Sequence, residues 1–115
     1  MKIVVVFAFA VLPLLVASAA QSTTETETGA RIYAASGCAG CHSNGVGPAL
    51  QGLYGRTELT DHGPVLADDV YVRESIVTPG AKIVSGYSNI MPPYGDQLSN
   101  EDLKELAAYV ETLGH

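Results

Sequence analysis

Apolar and polar positions are distributed unevenly along the chain. Residues 3–16 (IVVVFAFAVLPLLV) form an apolar run interrupted only by Pro13, and residues 21–28 (QSTTETET) contain no apolar side chain. Beyond these, three segments carry helical signals. The first, residues 29–36 (GARIYAAS), leads directly into two cysteines. The second, residues 69–77 (DVYVRESIV), has Asp68 placed to cap its start and Pro79 to stop it shortly after its end. In the third, Leu103, Leu106, Ala107, Val110 and Leu113 recur at helical spacing. Ser99 with Asp102 three residues on predicts a capping box there, and Gly114 an end. No alternation of apolar and polar residues is long enough to build a sheet core. The pattern therefore predicts an all-α fold of three main helices, joined by two irregular stretches over residues 44–63 and 78–98.

The N-terminal pattern reads as a processing signal. Lys2 gives a short positive start, the apolar run follows, and residues 17–20 (ASAA) offer the small side chains that a signal peptidase accepts. Residues 1–20 are thus expected to be a signal peptide, or a membrane anchor if left uncut. The run is short for a bilayer span, which takes about 20 apolar residues. Export places the protein in a bacterial periplasm or on the outer face of the cytoplasmic membrane. Residues 21–28 are too polar to bury themselves and are expected to be a flexible acidic leader, which leaves residues 29–115 as the folded domain. A domain of that size is marginal alone and is commonly stapled by a disulfide, a metal or a large cofactor. Two long loops in so small a domain are costly to order. They make sense if they wrap something large and apolar that is not protein.

Charge changes the picture only by exclusion. The chain has 6 basic and 12 acidic residues and a formal net charge of −6. Nucleic acid is excluded as an expected partner, because phosphate binding needs a basic patch. Membrane association is expected only through a retained N-terminal segment.

The candidate chemistry lies in residues 36–50 (SGCAGCHSNGVGPAL), where Cys38 and Cys41, the two cysteines of the chain, precede His42. A redox disulfide, half of a zinc site or covalent haem attachment all use such a spacing. A thioredoxin-type disulfide wants an alternating strand–helix pattern that is lacking, although export would permit an oxidised Cys38–Cys41 bond. Structural zinc wants a second Cys/His pair, and the other histidines, His62 and His115, stand far apart. Cys-x-x-Cys-His is the attachment signature of haem c. Two thiols three positions apart can bond two vinyl groups on one porphyrin edge, and the next residue can set its imidazole under the iron. Met91 (SNIMPPY) is the candidate second axial ligand, in the second long loop with Pro92 and Pro93 stiffening the backbone behind it. The His42 ring nitrogen that does not meet iron should donate to an acceptor, and the Pro48 carbonyl lies at a suitable distance along the loop. His62, among acidic neighbours, reads as a solvated loop histidine.

On these residues the chain resembles the class I c-type cytochromes over residues 29–113. "GPALQGLYGR" is similar to the corresponding stretch of mitochondrial cytochrome c. "YVRESIVTPGAKIVSGYSNIMPPY" looks closer to the cytochrome c domain fused to subunit II of some bacterial haem-copper oxidases. The resemblance implies the small cytochrome c fold around one haem c. In it, Cys38 and Cys41 are the thioether sites, His42 and Met91 the iron ligands, the Pro48 carbonyl the partner of the proximal imidazole, and Arg56 a contact of a haem propionate. It also implies a crossing of the first and last helices at Gly29 and Tyr33 against Leu106 and Tyr109. Two departures stand out: the chain has no tryptophan, so that Tyr54, Tyr71 or Tyr87 would take the propionate role of an indole, and only Lys82 and Lys104 would remain of a lysine ring once residues 1–20 are removed.

The function implied is one-electron transfer in a respiratory chain, not enzymatic catalysis. Donor and acceptor are redox proteins, a haem-copper oxidase or a reductase among them. An apolar shell of Leu50, Leu53, Ile76, Ile83 and Leu98 and a soft Met91 sulfur would both raise the potential. Two other readings are a haem enzyme or gas sensor with a displaceable Met91, and a fixed subunit of a respiratory complex.

Overall fold

The computed structural model describes residues 1–13 and 17–114, with side chains described from residue 21 onward in the first helix. The end of the expected signal run, residues 14–16, and His115 lie outside the described residues. Residues 1–13 are exposed and carry no regular secondary structure, and among the described residues no helix is long and apolar enough to cross a membrane.

The elements run α1 (Ala17–Ala35), α2 (Ala39–His42), β1 (Thr57–Thr60), β2 (Gly63–Leu66), α3 (Asp69–Val77), a 3₁₀ turn (Pro79–Ala81) and α4 (Asn100–Glu111). The two later helices occupy the segments their local signals mark. The Asp68 side chain accepts the Tyr71 N–H at the start of α3, and Ser99 and Asp102 form a reciprocal capping box at α4. The first helix is longer than the pattern suggests. It contains residues 21–28, expected to be a flexible leader, and Glu25 from this part reaches across to Lys104 of α4 at 2.8 Å.

The expectation of an all-α fold is incorrect. β1 and β2 form an antiparallel hairpin with Thr57 opposite Leu66 and Thr60 opposite Gly63, and Thr60 also bridges Val84. Among the described residues the architecture is a small mixed one, four helices and a two-stranded sheet. The strands are short, and the alternation of β1 is inverted. Glu58 and Thr60 face inward and are buried, whereas Leu59 and Leu66 are exposed. A pattern with polar residues inside does not register as a strand when hydrophobic periodicity is the signal. The hairpin ties down the first long loop, and the backbone bonds Asp61 N–H to Ile83 O and Ser85 N–H to Leu59 O fasten the second one to it.

α1 packs against α4. The two come so close at Gly29 that a Cβ built there would lie 2.0 Å from the Glu105 carbonyl oxygen and 2.7 Å from Tyr109 Cβ. One turn on, Tyr33 meets Tyr109 edge to face, with ring centroids 5.1 Å apart. The buried apolar core among the described residues is Leu53, Ala67, Tyr71, Val72, Ile76, Leu106, Ala107 and Val110, and it includes no large side chain that is fully buried. This is a thin core for the chain it supports, and one wall of it opens into a cleft.

Candidate functional site

The site begins where α1 ends. After Ala35 the chain turns through Gly37, whose φ of 72° is the left-handed conformation that glycine adopts without strain. It then makes one further helical turn, α2. Cys38 precedes that turn and Cys41 lies within it, and residues three apart in a helix are neighbours on one face. Both cysteines are free thiols, Cys41 exposed and Cys38 partly buried. Burial pushes the Cys38 thiol above its ordinary pKa.

His42 closes α2, and its orientation is fixed by the loop that follows. Its Nδ1 lies 2.7 Å from the Pro48 carbonyl oxygen, so Nδ1–H donates and Nε2 carries the lone pair. The loop is folded back by Gly47 N–H to Cys41 O, Asn44 Nδ2–H to Gly40 O and Val46 N–H to Asn44 Oδ1. The imidazole packs on the Gly47 backbone: a Cβ at that position would stand 3.0 Å from the ring. Few side chains could replace this glycine without moving the histidine.

Met91 comes from the other side, in the loop before α4. That loop is anchored by Tyr94, whose N–H donates to Ile76 O and whose hydroxyl donates to Ser36 O. Cys38, Cys41, His42, Pro48 and Met91 all line one cleft. Its walls are mainly apolar, with Leu50, Leu53, Val72, Ile76, Ile83, Leu106 and Val110 among them, and Val46, Tyr87 and Ile90 form a more exposed margin. Of the apolar shell expected from sequence, Leu98 packs on the core instead of lining the cleft.

Arg56 is engaged elsewhere. Its Nε donates to Glu58 Oε1 at 2.5 Å, Nη1 to Gln51 O at 3.3 Å and Nη2 to Ala49 O at 3.0 Å. It is absent from the cleft wall, where Glu58 stands instead, together with Tyr71 and Lys82. Lys82 is ion-paired with Glu74. Burial raises the Tyr71 pKa and keeps the phenol neutral. Tyr54 does not line the cleft; its hydroxyl donates to Ala107 O, and burial, more than nearby Asp69, raises its pKa. His62 is exposed on the hairpin turn, with Nδ1 3.0 Å from Asp61. Sequence reasoning missed Glu58, and the signal available was slight: an arginine two residues earlier, in a segment without strand periodicity.

The donor set suits a porphyrin iron better than a bare metal ion. Among the described residues, no three His, Cys, Asp or Glu side chains are grouped so as to hold a metal ion. What the cleft does present is a pair of thiols on one turn, an imidazole with a fixed tautomer, a thioether and a large apolar wall. Two thiols beside an imidazole on one turn are what covalent attachment of a haem c uses. Residues 24–110 match the family described as cytochrome c oxidase, cbb3-type, subunit III. A search among curated proteins found no match.

Proposed function

Because the chain belongs to the cbb3-type cytochrome c oxidase subunit III family, as a cytochrome c domain, we propose that it is a one-electron carrier holding a single haem c. The family found is that of a third oxidase subunit, whereas the sequence resemblance pointed to the second. When bound, the haem supplies a one-electron couple between ferric and ferrous iron. The chain supplies attachment, ligation and surroundings. Cys38 and Cys41 would form the two thioether links, and their placement at one turn after α1 would suit attachment to a single cofactor. His42 gives its Nε2 lone pair, held ready by the bond from Nδ1–H to the Pro48 carbonyl. Met91, on the same cleft, would give the second ligand, a soft sulfur that favours the reduced state. With His42 and Met91 both given to the iron, the chain would leave no position there for a substrate, which would suit a carrier and not a catalyst. Arg56, off the cleft wall with its guanidinium on Glu58, Gln51 and Ala49, is left out of this set.

The observation that carries this reading is the convergence of the two thiols, the oriented imidazole and the single thioether on one apolar cleft. The apolar start of the chain and its small residues at 17–20 support export to the periplasm or the outer face of the cytoplasmic membrane, where redox partners of a terminal oxidase or reductase would be met. Because the family is that of an oxidase subunit, residence in a complex is a second reading beside free shuttling. The deciding experiment is a pyridine haemochrome spectrum, with a reduced-minus-oxidised difference spectrum, of the exported protein. One haem c per chain is expected. A folded, colourless product would end the proposal.

A further inference from the structure

The cleft holds one carboxylate that electron transfer does not by itself require. Glu58 projects inward from β1, its side chain only 10% exposed, and lines the cleft. Its partner Arg56 is 40% exposed and lies off the cleft wall. The negative end of the pair therefore faces the low-dielectric cavity, and the positive end faces solvent that screens it. Lys82, the other charge on this wall, is already paired with Glu74, and Tyr71 is a neutral phenol.

This orientation is poor for stability. A hairpin flipped to keep Leu59 and Leu66 inside and Glu58 outside would turn out only the apolar Val65 in exchange and avoid desolvating a carboxylate. Here the alternation is reversed, which argues that the inward carboxylate serves the cavity.

We propose that Glu58 sets the reduction potential of the cofactor, holding it below the value that an apolar wall would give. The inference rests on the electron-carrier reading. Reduction adds one electron to ferric iron to give ferrous iron and makes or breaks no bond in the chain. The added negative charge then sits closer to a like charge, so Glu58 favours the oxidised state.

The test is a spectroelectrochemical titration of the haem-loaded protein at fixed pH and ionic strength. Glu58→Gln and Glu58→Met, two neutral replacements of similar length, are expected to raise the midpoint potential. Glu58→Asp, which keeps the charge, should stay near wild type, and Glu101→Gln, on the exposed face of α4, should change nothing. A role in packing alone predicts the opposite sign, because a loosened cleft admits water and lowers the potential. An unchanged or lowered potential in either neutral variant with an intact haem spectrum overturns the proposal. So does loss of haem from both neutral variants but not from Glu58→Asp, which would make Glu58 structural. A wild-type protein without haem instead defeats the carrier reading itself, and the two failures are distinguishable.

Discussion

His42 and Met91 differ in how much of their role their neighbours in sequence dictate. His42 lies six residues from the Pro48 carbonyl that orients it, within a loop closed by its own backbone bonds, so its environment is largely local. Met91 has no such partner beside it, only two prolines. Its position on the cleft depends on Tyr94, which anchors to Ile76 and to Ser36 just past the end of α1. Met91→Ala is expected to lower the midpoint potential and to let carbon monoxide bind the reduced iron, read from the shift in the haem absorption band. An unchanged potential with no carbon monoxide binding would remove Met91 from the ligand set. Replacing Cys38 and Cys41 together by serine should leave any bound haem extractable by acid–acetone, while the wild-type protein retains it. Glu58 is the residue that sequence alone did not reveal. A glutamate beside an arginine ordinarily reads as a solvated pair, and only the register of β1 turns its carboxylate inward.

At the scale of elements, α3 and α4 were legible because their boundaries are written in contiguous residues. Asp68 and Ser99 satisfy N–H groups within three positions of themselves, and Pro79 and Gly114 stand just past the helix ends. Ser99→Ala should cost about 1 kcal/mol in chemical denaturation, the usual value of an N-cap. The capping box also gives α4 a pH dependence. The Ser99 backbone N–H, more than its hydroxyl, holds the Asp102 carboxyl below its usual pKa. A group with a lowered folded-state pKa stabilises fully above the unfolded value, and that contribution is lost as pH falls through the folded one. Asp102→Asn should therefore be less stable than wild type at neutral pH, and the difference should shrink below about pH 4, the ordinary aspartate range. The crossing of α1 and α4 is governed by sterics. Gly29→Ala gains up to about 1 kcal/mol of helix propensity. It also puts a methyl 2.0 Å from a backbone oxygen that no rotamer change can relieve. Overpacking of this kind costs about 1–3 kcal/mol or more, so a net loss of thermal stability is expected. A stabilised Gly29→Ala protein would contradict the close crossing. The hairpin was not legible, because β1 buries its polar residues, Glu58 and Thr60, and exposes Leu59.

At the scale of the whole molecule, the thin core and the open apolar cleft belong together. Among the described residues, eight buried apolar side chains, none of them large and fully enclosed, leave Leu50, Ile83 and their neighbours facing a space that a haem would fill. Haem-free protein is accordingly expected to lose its cooperative thermal transition, followed by near-ultraviolet circular dichroism, while the loaded protein keeps one. A sharp transition in the haem-free chain would show that the core suffices alone. The sequence by itself determined the attachment signature, the caps of two helices and the candidate methionine, because each is a matter of residue type and short spacing. Only the tertiary structure decided the length of α1, the hairpin, and which of Arg56 and Glu58 faces the cleft. Those outcomes depend on strand register and on contacts between residues far apart in the chain, where a shift of one position exchanges inside for outside.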